Sequence, residues 1–330
     1  MENEENIFEI EENMYQRFKY SIEELQRFFI NALKEEPKNA NASTFYTIPQ
    51  CIPSDSQNRN AVGIDLGTSR CCLAVNRRDG IKIVALENTG ERLLPSYVGY
   101  DEMHTKCGQV VIDRIRNYAS STVFDSKRLI GKTMTVIDKI WPFKVITDDD
   151  KIYIKLDTPH GEIRQTATEV AAVLLQYIKI KAEEFQGKKL EKVVLTVPAA
   201  FSLAQEEATR EAAILAGWKT VMLLPEPIAA SFAYFIDRPI SNNSLLLLFD
   251  LGGGTLDVCV FKIANNQIEI ISKNGDSKLG GRDFDNLLMD YFLNILHLDF
   301  NVSKLGNKKY KLLLECQKIK HNLSVRDLDQ

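Results

Sequence analysis

Two glycine-containing turns carry residue types that could bind a phosphate group and a metal ion. Residues 65–68 read Asp-Leu-Gly-Thr, and residues 250–255 read Asp-Leu-Gly-Gly-Gly-Thr. Glycine permits a positive φ and lets a ligand approach the backbone, so that successive N–H groups form a concave site for phosphate oxygens. Because a carboxylate repels phosphate, an aspartate beside such a site fits a hard cation, Mg²⁺, held between them. The pair of turns therefore predicts a nucleotide site.

The two turns lie at equivalent positions of an internal repeat. Residues 64–67 (Ile-Asp-Leu-Gly) match residues 249–252 (Phe-Asp-Leu-Gly). Each segment ends the first strand of a predicted three-strand meander, over about 61–86 and 245–272. A single Asp-x-Gly sequence is typical of an ordinary hairpin, whereas two copies facing each other across a cleft favour a nucleotide site.

The segments after each meander predict alternating helices and strands. Periodic apolar residues predict helices over about 168–186, 202–216 and 227–236, with buried strands over 193–197 and 220–224. Two further helices are predicted after the second meander, over about 281–298 and 308–323. This order indicates an α/β fold of two related lobes, in which the second lobe lacks counterparts of the last two strands of the first.

Other nucleotide and hydrolase motifs are incomplete. Gly131-Lys-Thr resembles the end of a P-loop, but position 126, where the earlier glycine is required, is Ser. The pair Gly252-x-Gly254 lacks the third glycine of a dinucleotide-binding turn, because position 257 is Asp. No Gly-x-Ser-x-Gly or His-Glu-x-x-His sequence is present.

Composition narrows the classes of protein further. The chain has 330 residues, of which 45% are hydrophobic and 26% charged, and this predicts a soluble globular protein of about two domains. The net charge of −4 and the lack of a polybasic stretch argue against nucleic acid and membrane partners. Six scattered cysteines indicate reduced thiols, and the acidic start is unlike a signal peptide. We therefore expect a cytoplasmic protein.

Residues 1–60 differ from the rest of the chain and predict an acidic N-terminal extension. Ser21 and Glu24 form a capping-box pattern, and the apolar residues between 18 and 33 fall on one face of a helix. That helix either packs on the main body or docks a partner. Residues 35–60 are rich in Asn, Ser and Pro, which predicts a linker.

Seven segments resemble the actin and sugar-kinase type of ATPase, and within it the nucleotide-binding domain of the 70-kDa heat-shock (DnaK-type) chaperones. They are GIDLGTS (63–69), VFDSKRLIG (123–131), WPF (141–143), VVLTVPAAF (193–201), PEPIAASFAY (225–234), FDLGGGTLDV (249–258) and LGGRDFDN (279–286). The resemblance covers residues 61 to about 325. It implies an actin-like, ribonuclease H-like fold, with a first lobe over 61–240 and an incomplete second lobe over 241–330.

The resemblance also implies an activity. A member of this family binds ATP and ADP with Mg²⁺, with K⁺ as a second candidate cation, and hydrolyses ATP to drive protein folding and refolding. Stress response belongs to the same expectation. Co-chaperones and unfolded clients are the implied partners, the clients through a longer form of the chain.

The family's site residues can be transferred wherever the motifs match. Those implied to act in catalysis are Lys127, Glu226, Asp250 and Thr255. Those implied to contact the nucleotide are Gly67, Thr68, Ser69, Gly252, Gly253, Gly254, Thr255, Gly281, Lys320 and Ser324. Those implied to hold a cation are Asp65, Asp250 and Asp257. Pro198 resembles the family's switch proline.

The sequence departs from the family on the adenine side and on the interdomain surface. Arg70 follows the first turn, Arg282 replaces an acidic residue, and His321 replaces an arginine that stacks on adenine. These changes support a second hypothesis, a degenerate nucleotide-binding regulator or scaffold without turnover. A small-molecule kinase of the same superfamily has less support, because the motifs around Lys127 and Pro198 are chaperone-like.

The end of the sequence is the largest departure. It stops at Gln330, before the family's later adenosine segment, the last strands of the second sheet and the peptide-binding domain. We expect an open apolar edge on the second sheet. The corresponding hypothesis is a truncated isoform, an incomplete gene model or a fragment.

Overall fold

The computed structural model describes residues 45–48, 61–77, 80–134, 137–149, 151–238, 240–300 and 305–325. The predicted helix from Ser21 and most of the predicted linker lie outside these ranges. The strands are β1 (Phe45–Thr47), β2 (Val62–Leu66), β3 (Arg70–Arg77), β4 (Gly80–Ile83), β5 (Leu93–Pro95), β6 (Val98–Gly99), β7 (Lys106–Cys107), β8 (Thr122–Val123), β9 (Lys144–Asp148), β10 (Lys151–Thr158), β11 (Gly161–Gln165), β12 (Lys192–Val197), β13 (Thr220–Pro225), β14 (Ser244–Leu251), β15 (Leu256–Ala264) and β16 (Gln267–Asp276). The helices are α1 (Gln109–Arg114), α2 (Ala167–Gln186), α3 (Leu203–Leu215), α4 (Glu226–Asp237), α5 (Gly281–Phe300) and α6 (Lys309–Leu323).

The first sheet has the strand order β13-β12-β2-β3-β4, with β5 on β3. The meander β2-β3-β4 is antiparallel, whereas β12 runs parallel to both β2 and β13. Ile64, Leu73 and Leu195 lie fully buried in this sheet. Parallel strands need crossover helices, and α2 and α3 supply them. The predicted helices and strands of this part are confirmed to within a few residues.

Local sequence signals explain where the two crossover helices begin. Thr166 accepts a hydrogen bond from the amide of Glu169, whose side chain bonds back to the Thr166 amide. Ser202 and Gln205 form the same reciprocal pair at the start of α3. Each capping box satisfies two amides that would otherwise lack partners at a helix start. The helices therefore begin at positions that the residue types already indicate.

The second sheet has the order β1-β16-β15-β14 and contains the second meander. Its strands β14, β15 and β16 pair antiparallel, as β2, β3 and β4 do, so the predicted repeat is present in the meanders. Asn265 and Asn266 both have positive φ in the turn between β15 and β16, which is the conformation of a tight two-residue hairpin turn.

Residues 45–47 contradict the linker prediction. They form β1, which pairs antiparallel with β16 through Tyr46 opposite Ile268. The composition of the surrounding segment hides the strand, because only three residues pair and Pro and Asn flank them. The strand extends the second sheet on the side away from β14.

Residues 84–165 contain strands that the periodicity analysis missed. The largest group is the antiparallel sheet β11-β10-β9, and a smaller sheet has the order β7-β6-β8. Ile152, Ile154 and Leu156 alternate with polar residues and are buried, a period-two signal that was available in the sequence. The short strands of the second group carry no comparable pattern.

The second sheet exposes an apolar face on β14. Leu245, Leu247, Phe249 and Leu251 are each 40–52% exposed. Within the described ranges, β14 pairs with β15 on one side and with no strand on the other. This matches the expected open edge. None of the described helices combines the length and the apolar character that crossing a membrane requires.

Candidate functional site

The two glycine-containing turns touch each other across a cleft. A Cβ atom added to Gly254 would lie 2.7 Å from Thr68 Cγ2, and one added to Gly253 would lie 1.9 Å from Ser69 Oγ. The turns border a cavity of about 430 Å³. Eleven of the residues implied by the resemblance line this cavity: Asp65, Gly67, Thr68, Ser69, Lys127, Glu226, Asp250, Gly252, Gly253, Gly254 and Thr255.

The glycines serve close approach rather than an unusual backbone conformation. Gly67 and Gly252–Gly254 are absent from the described residues with positive φ, so the turns do not use the positive φ that glycine permits. At Gly67 a Cβ atom would lie 2.2 Å from the carbonyl oxygen of Arg70. The lack of a side chain therefore allows the chain to fold back and the two turns to meet.

The second turn rests on the N-terminus of α5. The amide of Gly281 donates to Gly252 O at 3.0 Å, and the amide of Arg282 donates to Gly253 O at 2.8 Å. A Cβ atom on Gly280 would lie 2.6 Å from Gly254 N. These backbone contacts orient the turn, and the close approach at Gly280 requires a residue without a side chain there.

Three carboxylates lie around the cleft. Asp65 accepts a hydrogen bond from Thr196 Oγ1 at 3.0 Å. Burial and then the charge of Asp65 raise the pKa of Asp250, while burial and then Asp250 raise the pKa of Asp257. Such crowding of negative charge disfavours ionisation unless a cation is present. The donor set therefore fits a divalent cation.

The arrangement of these carboxylates indicates whether they would bind a cation directly or through water molecules. Among the described residues, no group of three or more His, Cys, Asp or Glu side chains could hold a metal ion directly. Asp65 and Asp250 both line the cleft, and hard cations in phosphate sites keep several water ligands. The pair accordingly suits Mg²⁺ held through water. Asp257 is 3% exposed and lies 3.4 Å from Thr255 Oγ1.

Lys127 and Glu226 form an ion pair on the wall of the cleft. Lys127 lies in the 3₁₀ turn Ser126–Arg128, and its Nζ donates to Glu226 Oε1 at 2.6 Å. Burial is the largest single influence and lowers the pKa of Lys127, but the charge and the hydrogen bond of Glu226, together with the charge of Asp65, raise that pKa overall. Burial raises the pKa of Glu226 despite the attraction of Lys127. The pair therefore keeps the positively charged ammonium group of Lys127 beside the two glycine-containing turns.

Two residues implied to contact the nucleotide lie at the C-terminal end of α6, with Lys320 inside the helix and Ser324 directly after it. Lys320 Nζ donates to Gly281 O at 2.8 Å and lies 2.6 Å from Asp285 Oδ1. Ser324 is exposed and donates its hydroxyl to Lys320 O, so it does not line the cleft. Lys320 instead borders a second cavity of about 420 Å³. The structure brings Lys320 and Gly281 together and leaves Ser324 outside.

The second cavity also contains His321, which replaces the family's arginine. Burial, then the charges of Lys320 and Arg70, lower the pKa of His321. The imidazole is therefore neutral at physiological pH. A neutral ring offers an adenine base stacking without the cationic attraction of a guanidinium. Any base bound here would be held more weakly from this side than the family pattern implies.

Arg282 is the main structural residue that the sequence analysis did not place. Its Nε and one terminal nitrogen bind Asp125 at 2.8 and 3.1 Å, and the same terminal nitrogen donates to Tyr97 Oη at 3.2 Å. Arg282 and Asp125 are 2% and 1% exposed. The pair joins the segment before Lys127 to the helix beneath the second turn. The signal available was the basic residue at a position where the family has an acidic one.

We predict a pH-dependent stability effect for Asp250→Asn in the absence of nucleotide and Mg²⁺. The pKa of Asp250 is raised in the folded chain, so ionisation costs stability at neutral pH, and this cost disappears as the pH falls through the raised pKa. The variant should therefore melt about 1–2 °C higher than the wild type near pH 7, and this advantage should shrink on acidification. Thermal unfolding followed by circular dichroism measures both. A lower melting temperature for the variant at neutral pH would contradict the prediction.

A comparison with protein families matches residues 61–329 to the family described as Hsp70 protein. The match begins at the first strand of the first meander and includes both turns, the Lys127 segment and helices α5 and α6. The mixed α/β architecture is consistent with the actin-like ATPase fold of that family. The chain belongs to the Hsp70 family.

Proposed function

We propose that the cleft binds Mg-ATP and hydrolyses it to ADP, as the ATPase part of an Hsp70-type chaperone. Family membership supports an ATP-binding, chaperone-type role. The observation that carries the finer proposal is that the two turns meet, with Thr68-Ser69 against Gly253-Gly254. The ammonium group of Lys127 and the carboxylates of Asp65 and Asp250 line the same cavity. The proposal also divides the chain into a first lobe over 61–240 and a second over 241–330.

Each group at the cleft has a physical task in this proposal. Backbone amides of the two turns bind phosphate oxygens. Asp65 and Asp250 would hold Mg²⁺ through water, and the ion would neutralise negative charge on the phosphates. Lys127 stabilises the charge that develops on the transferred group and orients water, with Glu226 positioning its ammonium group. Thr255 helps to orient the nucleophile, and Asp257 is the candidate ligand for K⁺.

Hydrolysis here needs no covalent intermediate. Phosphoryl transfer depends mainly on positioning and on charge stabilisation, both of which the cleft residues can provide. Lys127 and Glu226 come from segments 99 residues apart in sequence, yet they meet at hydrogen-bond distance. The proposed catalytic groups are thus held by the fold and do not require a mobile loop to assemble.

Single-turnover hydrolysis tests this proposal. The full chain is mixed in excess over γ-labelled ATP, with Mg²⁺ or with EDTA, and the release of labelled phosphate is followed. We expect ADP to form on the enzyme with Mg²⁺ and not with EDTA. Bound ATP that remains intact would overturn hydrolysis and favour the regulator, whereas a failure to bind would overturn both.

We predict that Gly254→Ala weakens ATP binding at least about tenfold, which corresponds to 1.4 kcal/mol. The added methyl group would lie within 3.0 Å of three Thr68 side-chain atoms, so the two turns must separate. Separation widens the phosphate site and weakens every backbone contact to it. Equilibrium binding of a fluorescent ATP analogue measures the effect.

Gly63→Ala is the matched control for this prediction. It makes the same chemical change in β2, but a Cβ atom there has no neighbour within 4 Å. Its ATP affinity should equal that of the wild type. If both variants lost ATP affinity equally, nucleotide binding would not depend on the close contact between Gly254 and Thr68.

Nucleotide binding without turnover is the second candidate function. His321 in place of the family's arginine and the engagement of Lys320 with Asp285 favour it, because both depart from the nucleotide-contacting pattern that accompanies turnover in the family. Such a protein would act as a regulator or scaffold that holds ATP or ADP. The single-turnover measurement separates the two candidates directly.

The wider role follows from the family. We propose that ATP turnover serves the folding and refolding of client proteins during stress, with co-chaperones as partners and the cytoplasm as the compartment. The scattered spacing of the six cysteines supports a reducing compartment.

A further inference from the structure

Arg70 is a charged residue of the cleft that has no task in the proposed function. It is the first residue of β3 and directly follows the turn of Gly67, Thr68 and Ser69. Like Ser69, it lines both the cavity of about 430 Å³ between the two turns and the second cavity of about 420 Å³. Arg70 therefore lies where the phosphate side of the site meets its base side.

The backbone of Arg70 is held in place from two sides. Its strand pairs with β2 through Cys71 opposite Leu66, and Arg70 itself lies opposite Pro95 of β5. Its carbonyl oxygen approaches the first turn so closely that a Cβ atom on Gly67 would lie 2.2 Å from it. Because successive side chains of a strand point to opposite faces, the Arg70 side chain points away from the side on which Cys71 is fully buried. The fold therefore fixes the position from which this side chain extends.

The guanidinium group of Arg70 is not engaged by the part of the chain that the structure describes. The residue is exposed, and its side chain forms no hydrogen bond or ion pair with another described residue. Two other cations of the second cavity are paired. Lys318 Nζ lies 3.0 Å from Glu315, and Lys320 Nζ lies 2.6 Å from Asp285. Arg70 can thus bind an anion without breaking an existing ion pair.

The charge of Arg70 acts on the wall of the second cavity. After burial and the charge of Lys320, the positive charge of Arg70 lowers the pKa of His321. The two side chains are therefore close enough to interact across that cavity. On its other side Arg70 adjoins Thr68 and Ser69, whose turn is a proposed phosphate ligand. A cation between these two features faces the middle of a bound nucleotide, which consists of the ribose and the phosphates next to it.

The chemistry of arginine selects between these two groups. A guanidinium group stays protonated and presents its N–H donors in a planar fork that can bind two phosphate oxygens at once. Hydrogen bonds between ionised partners are about twice as strong as those between neutral ones. Of the ribose and the neighbouring phosphates, only the phosphates carry a charge. They are accordingly the better partner for Arg70.

We propose that the Arg70 side chain binds the α- and β-phosphates of the nucleotide at the junction of the two cavities. This inference rests on the proposed function, because it assumes that the cleft binds a nucleotide. It adds a side-chain ligand to the backbone amides of the turns, so that recognition depends more on the phosphates and less on the base. The neutral ring of His321 fits this division, since it offers a base no cationic attraction.

Equilibrium binding of Mg-ADP and Mg-pyrophosphate to the full chain tests this inference, with displacement of a fluorescent ADP analogue as the readout. Pyrophosphate supplies the phosphate chain without ribose or base. Arg70→Ala is expected to weaken both ligands at least about tenfold, because each loses a charge-assisted contact. Arg70→Lys should recover part of the affinity, because lysine keeps the charge but lacks the planar fork.

Arg77→Ala is the matched control. Arg77 is the last residue of the same strand, lies over the ring of Phe185 at 4.9 Å and lines neither cavity. Its affinity for both ligands should equal that of the wild type. The melting temperature of Arg70→Ala without ligand should also equal that of the wild type, because the side chain has no described partner to lose.

The two ligands separate the possible failures. Unchanged affinity of Arg70→Ala for Mg-ADP would overturn the inference. A loss of affinity for Mg-ADP alone would also overturn it, because Arg70 would then contact the ribose or the base. A wild type that binds Mg-ADP but not pyrophosphate would contradict recognition through the phosphates. A wild type that binds neither ligand would instead overturn the proposed function, and the inference with it.

Discussion

Replacement of Lys127 by alanine is expected to slow single-turnover ATP hydrolysis by at least about 100-fold while changing ATP affinity by no more than about threefold. Lys127 lines the cleft beside both turns, and its neighbour Glu226 raises its pKa, so the side chain remains a cation at the site of reaction. A charge placed where negative charge develops acts mainly on the transition state. Binding depends instead on the backbone amides of the turns, which the substitution leaves in place.

The measurement compares phosphate release in single turnover with equilibrium binding of ATP to the same preparation. Lys219→Ala is the control, because Lys219 forms an exposed ion pair with Glu191, and neither residue lines the cleft. The control should hydrolyse ATP at the wild-type rate. Unchanged hydrolysis in the Lys127 variant would remove this residue from the proposed mechanism.

Arg282→Met is expected to destabilise the fold by about 3–5 kcal/mol. The guanidinium is 2% exposed and neutralises Asp125, which is 1% exposed, through two hydrogen bonds. It also lies 3.4 Å from Asp285. Methionine matches much of the side-chain volume, but it leaves the buried carboxylate of Asp125 without its positive partner, whereas Asp285 keeps Lys320. The cost comes from that abandoned charge rather than from lost packing.

Urea unfolding of the nucleotide-free protein tests this expectation. Lys139→Ala is the control, because Lys139 pairs with Asp290 at 2.5 Å in an exposed setting, where such pairs contribute about 0–1 kcal/mol. The unfolding midpoint should fall strongly for Arg282→Met and hardly at all for the control. Similar midpoints for the two variants would show that burial of the Arg282 pair is not energetically important.

The parts of the fold that sequence reasoning predicted are those with strong local signals. Apolar strands divided by Gly or Asn turns predicted the two meanders, and periodic apolar residues predicted the helices, whose starts the structure places at capping pairs such as Ser202 with Gln205. The cleft was predictable because Asp65 and Asp250 occupy equivalent positions of a repeat. Two equivalent strand ends meet when two related units pack together, and no long-range information beyond the repeat was required.

The parts that were missed depend on tertiary contacts. The strand at Phe45–Thr47 exists because β16 offers an edge and because buried apolar residues such as Phe261 and Ile268 form a cluster against which Tyr46 packs, neither of which is visible in the local sequence. Arg282 is informative only together with Asp125, which lies 157 positions away in the chain. The turn glycines were predicted to let a ligand approach the backbone, whereas the close contacts seen at them are between parts of the chain itself and depend on how the chain folds back.

The central claim is that the cleft between the two turns binds a magnesium nucleotide. Titration calorimetry of the full chain with Mg-ATP and Mg-ADP, repeated with Asp250→Ala, tests it most directly. The account predicts a dissociation constant of about 1 μM or tighter for the wild type, weakened at least about tenfold in the variant. A chain that is well folded by circular dichroism and shows no binding of either nucleotide would contradict it.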